Sequence, residues 1–383
     1  MGLTRADLVV MGGGPAGAAA AITAARRGLR VVLVDKAVFP RGKLCGGLLS
    51  GRTAAQVRAV FGTGLPAEIV QPKSEFLFSW NGKPFSAGTS PFGLHLTMRR
   101  DFDWWLLAQA QDAGVTLHLG AREADPGLAE GVLRLSSGED IAWEALVGAD
   151  GVNSAVARGL FGAAYDRAKI GFCLEAEVPY PQSLRPNEAP LQVDFGGIPF
   201  GYAWSFPKER SVTVGLGAIK SKAGDIKSRM AALLALHSSD PGAVQVKGHF
   251  IPFGDFRAVP GKGSVILAGD AAGLVDPLTG EGIAYAIESG ALAADAVADW
   301  LGQAKAGDLT TRYVSGLAQI HASLAASNHL AATMHARFVP AFVKRRLVAQ
   351  PRVQRKFFAI LGGQAESTDL AKFNLLRYLL LSR

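Results

Sequence analysis

The chain has 383 residues, 49% of them apolar and 19% charged, with no low-complexity tract or internal repeat. That describes an ordered protein long enough for two domains with large cores, and it excludes a disordered or fibrous polymer. Its two cysteines, Cys45 and Cys173, are too few for a disulfide framework or a metal cage, its histidines form no metal spacing, and no apolar run approaches the ~20 residues that span a bilayer.

Taken in chain order, Asp7–Met11 predicts a buried strand, Gly12–Gly17 a glycine turn, and an alanine-rich helix runs from there to about Arg27. A second apolar strand, Arg30–Val34, ends at Asp35. With only six residues ahead of the first strand there is no room for a signal peptide, so a reducing cytoplasmic location is expected. A polar, turn-rich stretch over 39–47 precedes a helix from about Thr53 to Phe61. Strands are predicted near Glu75–Trp80 and Phe85–Thr97, a helix over Phe102–Ala113, and strands over Val115–Leu119 and Trp143–Val147. Between about Gly171 and Gly217 the pattern changes to long alternating strands rich in aromatics and proline, which signals an antiparallel sheet. A buried strand returns at Ser264–Ala268, and a long helix follows from about Gly282 to Leu301. The expected fold is therefore α/β (α+β overall): a Rossmann-type nucleotide domain (1–60, 96–160 and 255–300) interrupted by an antiparallel sheet domain (61–95 and 161–254), with a helical basic C-terminal region over 301–383.

The order strand, glycine turn, helix, strand, acid points to a dinucleotide site. Gly12 permits the tight turn, Gly14 lets backbone approach a pyrophosphate, and Gly17 lets helix and strand pack closely, with Pro15 and Ala16 opening the helix. The helix N-terminus directs free N–H groups and partial positive charge at the phosphates. Asp35, eighteen residues beyond Gly17, suits the ribose hydroxyls. The alternative is a glycine-rich turn in another kind of α/β protein. Two later segments favour FAD: Gly148-Ala149-Asp150-Gly151-Val152-Asn153-Ser154 with Arg158 one turn later, and Gly269-Asp270 with residues 277–283 behind it. In the second, Asp270, at a strand end, suits the ribityl hydroxyls of a flavin, and Gly280-Glu281-Gly282 opens a helix whose dipole suits negative charge on a reduced flavin ring.

The set Gly12-x-Gly14-x-x-Gly17, Arg99-x-x-Phe102-Asp103, Gly148-Ala149-Asp150-Gly151 and Gly269-Asp270 resembles the flavoprotein monooxygenase superfamily, typified by para-hydroxybenzoate hydroxylase, over residues 5–300. Two segments narrow it. Pro40-Arg41-x-Lys43-x-Cys45-Gly46-Gly47 is similar to the flavin-side loop of geranylgeranyl reductases, and Pro199-x-x-Tyr202-x-Trp204-x-Phe206-Pro207 matches a pattern of that family. The resemblance implies that FAD is contacted by Ala16, Asp35, Lys36, Cys45, Gly46, Arg99, Asp270, Gly282 and Ile283, with Ala121 near the adenine. It also implies an FAD-dependent reductase that saturates isolated C=C bonds of an isoprenoid lipid by hydride transfer from flavin N5. Rival readings are a monooxygenase on the same fold and a non-catalytic flavin-binding partner at a membrane. No second glycine fingerprint follows a strand, so electrons are expected from docked NADPH or NADH, or from ferredoxin.

Tyr202, Trp204 and Phe206 alternate, so on a strand they share one face, and Phe200 is expected to extend it. Such a face is either an apolar wall for a long hydrocarbon substrate or an ordinary core face. Cys45, flanked by Lys43 and two glycines, is a candidate to protonate the substrate or position it, or else a small packing thiol; Cys173 is expected in the core. Tyr202 and Trp204 are the other candidate catalytic residues. The formal charge of +8 is concentrated in residues 337–383, where ten basic side chains meet two acidic ones and are interleaved with large apolar residues. That composition suits peripheral contact with an anionic membrane or an amphipathic helical cap, and without a binding module nucleic acid is not an expected partner.

Overall fold

The computed structural model describes residues 3–180, 189–335 and 340–371. Two eight-stranded sheets organise it. The first comprises β1 (Thr4–Met11), β2 (Val31–Asp35), β6 (Thr116–Leu119), β7 (Glu123–Asp125), β8 (Val132–Leu135), β9 (Asp140–Gly148), β15 (Gly261–Lys262) and β16 (Val265–Leu267), in the order β15-β16-β9-β1-β2-β6 with β8 and β7 extending from β9. Its centre, β16-β9-β1-β2-β6, is parallel throughout. β1 is central because Leu8, Val9, Val10 and Met11 are all buried, as a strand covered on both faces requires. The chain leaves β1 for β2 on one side and later returns to β9 on the other, so the carboxyl end of β1 is a topological switch point, where open sheets of this kind bind ligands.

Helices α1 (Pro15–Arg26), α2 (Gly51–Phe61), α3 (Arg99–Asp112), α4 (Ala155–Phe161) and α5 (Ile226–Ala235) precede the long α6 (Ile283–Gly302). α1 is nearly all alanine on its buried side, which lets it lie close to both sheet and α6. A Cβ at Gly290 of α6 would come within 2.2 Å of the Ala16 carbonyl oxygen. Beyond α6 lie α7 (Leu309–Gly316), α8 (Ala318–His335), α9 (Ala341–Val348), α10 (Pro351–Leu361) and α11 (Ser367–Ala371). The expected helical tail is thus seen to Ala371; Arg337, Phe338 and residues 372–383 lie outside the described residues.

The second sheet runs β14-β10-β13-β12-β11-β4-β5-β3, built from β3 (Leu48–Leu49), β4 (Val70–Trp80), β5 (Lys83–Thr97), β10 (Gly171–Pro179), β11 (Leu191–Phe195), β12 (Gly201–Pro207), β13 (Ser211–Ile219) and β14 (Lys247–Ile251). It departs from the sequence reading in two ways. β11 pairs with β4 in parallel, because the two segments come from distant parts of the chain and need no hairpin between them. β3, from the stretch assigned to the nucleotide domain, pairs with β5 and ties the sheets together.

Candidate active site

A cleft of about 470 Å³ lies between the two sheets. Its floor is the glycine turn: Gly12, Gly14, Pro15 and Ala16 all line it. Gly12 has φ +107°, and a Cβ there would sit 2.3 Å from the Ala149 carbonyl oxygen. Gly17 faces away from the cleft, and its Cβ would fall 1.8 Å from the Gly12 carbonyl oxygen. Gly14 caps α1 without a side-chain hydrogen bond, so the first-turn amides have no internal acceptor there. Asp35 ends β2 with its carboxylate fixed by the N–H groups of Gly13 and Ala37, each at 2.7 Å, and Lys36 follows it on the cleft wall. Ala121 lies just past β6 and donates its N–H to the Asp35 carbonyl at 3.1 Å, beside the cleft but not lining it.

The Cys45 loop crosses the cleft opposite this floor. Its anchor is Asp103 on α3, fully buried, which takes two hydrogen bonds from Arg99 (2.6 and 2.9 Å) and pairs with Arg41 at 3.1 Å. Asp103 holds the Arg99 guanidinium firmly charged despite burial, and Arg99 also lies against the Cys45 sulfur. The Cys45 N–H donates to Glu175 on β10 at 2.9 Å, and Gly47 N–H donates to the Cys45 sulfur at 3.4 Å. Burial lifts the Glu175 carboxyl to about 7. Lys43 Nζ sits 2.5 Å from Nε2 of His249 on β14. Burial pushes the Lys43 ammonium down, and burial together with Lys43 pushes His249 to about 4, so this imidazole is neutral at pH 7 and free to accept from the lysine.

The far wall is β12 together with the turn that precedes α6. Tyr202, Trp204 and Phe206 all line the cleft, as their alternation predicts, with the Tyr202 and Trp204 rings 5.9 Å apart. Phe200 does not join them. Its φ of +55° turns it out of the strand's alternation, and its ring stacks on His335 at 5.3 Å beneath the Lys222 ammonium. The wall meshes with both glycine loops: a Cβ at Gly46 would lie 2.9 Å from the Phe206 ring, and one at Gly280 would lie 2.2 Å from the Tyr202 oxygen. Tyr202 donates its hydroxyl to the Thr279 carbonyl at 3.2 Å. Asp270, Gly280, Gly282 and Ile283 complete this side, and Gly282 caps α6. Cys173, expected in the core, is buried yet also borders the cleft.

These residues fit FAD. The space outside Gly14 holds only Arg41 Nη2, 3.9 Å from where a Cβ would be, leaving the turn open to a pyrophosphate beside a guanidinium. Buried Asp150 Oδ1, also on the cleft, has no hydrogen-bond partner within the protein. Residues 7–127 match the FAD dependent oxidoreductase family. The chain is 30% identical over 317 residues to the geranylgeranyl diphosphate reductase of Rhodobacter capsulatus, covering 79% of this chain and 78% of that one. The chain belongs to the geranylgeranyl reductase family of FAD-dependent oxidoreductases. The chain is also 30% identical over 325 residues to the menaquinone reductase of Mycolicibacterium smegmatis, covering 76% of each. A crystal structure of a geranylgeranyl bacteriochlorophyll reductase-like protein from Thermoplasma acidophilum shares the fold, with a TM-score of 0.76 at 20% identity over 99% of this chain and 98% of that one. The protein is accordingly an FAD-dependent oxidoreductase enzyme.

Sequence reasoning missed several contacts here. Glu175 and His249 reach the Cys45 loop from 130 and 206 residues away, with no motif to flag them. Phe357 and Leu361 of α10 also line the cleft, a place that neither the membrane-contact reading nor the amphipathic-cap reading of the tail had given them. Phe358, Ile360 and Leu361 are buried, and α10 packs on β5 rather than offering its apolar face outward. Lys43 stands within the loop motif, but nothing in sequence pairs it with an imidazole.

Proposed function

We propose that this enzyme saturates isolated C=C bonds in an isoprenoid chain held in the cleft. The supporting observation is the wall of Tyr202, Trp204, Phe206, Phe357 and Leu361, an aromatic and aliphatic surface in the same cleft as the glycine turn, Asp270 and the Gly282 helix start. An isolated double bond has no carbonyl to polarise, so the protein's work is to hold the chain, exclude water and deliver a proton. FAD, when bound, supplies the hydride from its N5. Tyr202 and Trp204 position the chain, and Cys45, beside Arg99 on the cleft-lining loop, is the third residue assigned to meet the substrate. Asp35, Lys36 and Ala121 serve the adenosine end, Asp270 the ribityl chain, and the amides behind Gly280 and Gly282 the ring. The relatives named for geranylgeranyl diphosphate and for menaquinone point to a long isoprenoid tail as the recognised element. NADPH, NADH or ferredoxin is the proposed electron source.

Contact with an anionic membrane is proposed for α9, not α10. Phe342 is 64% exposed there and Arg345 and Arg346 are exposed beside it. No helix among the described residues is long and apolar enough to cross a membrane.

Anaerobic photoreduction of the holoenzyme followed by addition of a geranylgeranyl lipid tests the reaction. Return of the oxidised flavin spectrum with a product heavier by two hydrogens is expected. A spectrum that stays reduced until air is admitted, with a product one oxygen heavier, would establish the monooxygenase instead.

A further inference from the structure

Deepening that reading, and resting on it, we propose that Glu175 is the proton donor of the cleft, refilled from solvent through Lys208 and Glu177. Glu175 sits on β10, 7% exposed, and borders the cleft. One carboxyl oxygen is engaged by the Cys45 N–H at 2.9 Å. The other oxygen is buried and faces the Trp204 indole N–H, which acts on this carboxyl across the wall. A buried carboxyl bordering a reaction chamber is costly to keep charged, so its proton is held close to the cleft.

The alternation of β10 puts Glu177 on the same side, and Glu177 is exposed. It accepts from Thr213 Oγ1 at 2.7 Å. Lys208, just past β12, has a side chain only 8% exposed, with its Nζ 3.6 Å from Glu177 Oε2. The Lys208 charge also acts on Glu175. Glu175 at the cleft and Glu177 at the surface therefore share the Lys208 charge. The other charged or titratable groups around Glu175 are Cys45 on the loop with Arg99 behind it, Cys173 two residues back on β10, and exposed Lys247 opposite on β14.

In the proposed step the π bond opens. One carbon takes the hydride, with its electron pair, that reduced FAD supplies. Its neighbour takes the Glu175 proton, leaving a carboxylate and two new C–H bonds. The carboxylate regains its proton from Lys208, which is restored through Glu177 from water, and a reduced nicotinamide dinucleotide or reduced ferredoxin makes good the electron pair. The arrangement makes Cys45 a neighbour that fixes the loop to the donor, and it gives a carboxyl near neutrality a use that a structural residue would not have.

Glu175→Gln tests this, since the amide keeps an acceptor for the Cys45 N–H but holds no transferable proton. The holo-variant should bind FAD and be photoreduced like the parent, yet be reoxidised by geranylgeranyl lipid roughly 100-fold more slowly, the usual scale of general-acid catalysis. Reoxidation of the parent should fall as pH rises through about 7, because the donor must be protonated, and the variant should lose that dependence. Glu175→Asp should recover part of the rate. In the apoprotein, an infrared band of a protonated carboxyl should titrate near neutrality and be absent from Glu175→Gln. A Glu175→Gln enzyme with the parental rate and pH profile, or an apoprotein without that band, would overturn the assignment. A parent that leaves the lipid unsaturated would remove the proposed function and the donor with it, so the two failures are distinguishable.

Discussion

The two sheets make the same cleft by opposite means. On the nucleotide side the working parts are local: Gly12, Gly14, Ala16 and Asp35 come from one β-α-β unit, and each is placed by backbone geometry. On the substrate side the working parts are assembled from afar, with β4 pairing to β11, the Cys45 loop bonded to β10, and α10 supplying Phe357 and Leu361. Local geometry suits a cofactor whose pyrophosphate is always the same. An assembled wall can change side chains without disturbing that geometry, which is where a family varies what it binds.

Three measurements sharpen this contrast. The largest effect is expected from Gly17→Val, whose added atoms meet the Gly12 carbonyl at 1.8 Å, backbone that cannot yield. It should cost on the order of 5 kcal/mol and yield protein that purifies colourless. A yellow, stable variant would mean that the turn is less rigid than its geometry indicates. Next comes Phe358→Ala, which empties a core position 2% exposed, its ring packed at a tilt against Phe76 with centroids 5.4 Å apart. A loss of ~3–5 kcal/mol in chemical denaturation is expected. The FAD spectrum should persist under native conditions, because the cofactor side does not depend on α10. Loss of FAD together with the helix would show the two halves to be one cooperative unit. The smallest effect is expected from Phe342→Ser on α9, which should weaken pelleting with anionic liposomes about tenfold, the value of ~1.4 kcal/mol of apolar contact, with turnover of dispersed substrate unchanged. Unchanged pelleting would remove α9 from the membrane proposal.

What could be read from the sequence follows the same division. The order β1, turn, α1, β2 and the roles of its glycines are written in adjacent residues, because only certain residue types fit those dihedral angles. The strand face of Tyr202, Trp204 and Phe206 was equally legible, since alternation is a local property. It failed one residue outside the strand, at Phe200, where a positive φ carries the ring to His335 instead. The Lys43–His249 contact and the Cys45–Glu175 bond left no trace, since both join segments brought together only by sheet pairing. The tail left two readings open for a related reason. Basic residues mixed with phenylalanines describe a membrane-facing helix and a docked core helix alike, and only the position of β4 and β5 decides that Phe358 goes inward.

The placement of Phe357 and Leu361 also sets an order of events during synthesis. Both sheets are complete once residue 267 has emerged, whereas the chamber lacks its closing side until more than ninety further residues have followed. A nascent chain can therefore present its finished cradle for the cofactor while Phe76, Phe78 and Val193 still face water. A product cut short before α10 would keep that cradle and display a greasy face in place of a chamber, an invitation to aggregate rather than to bind lipid.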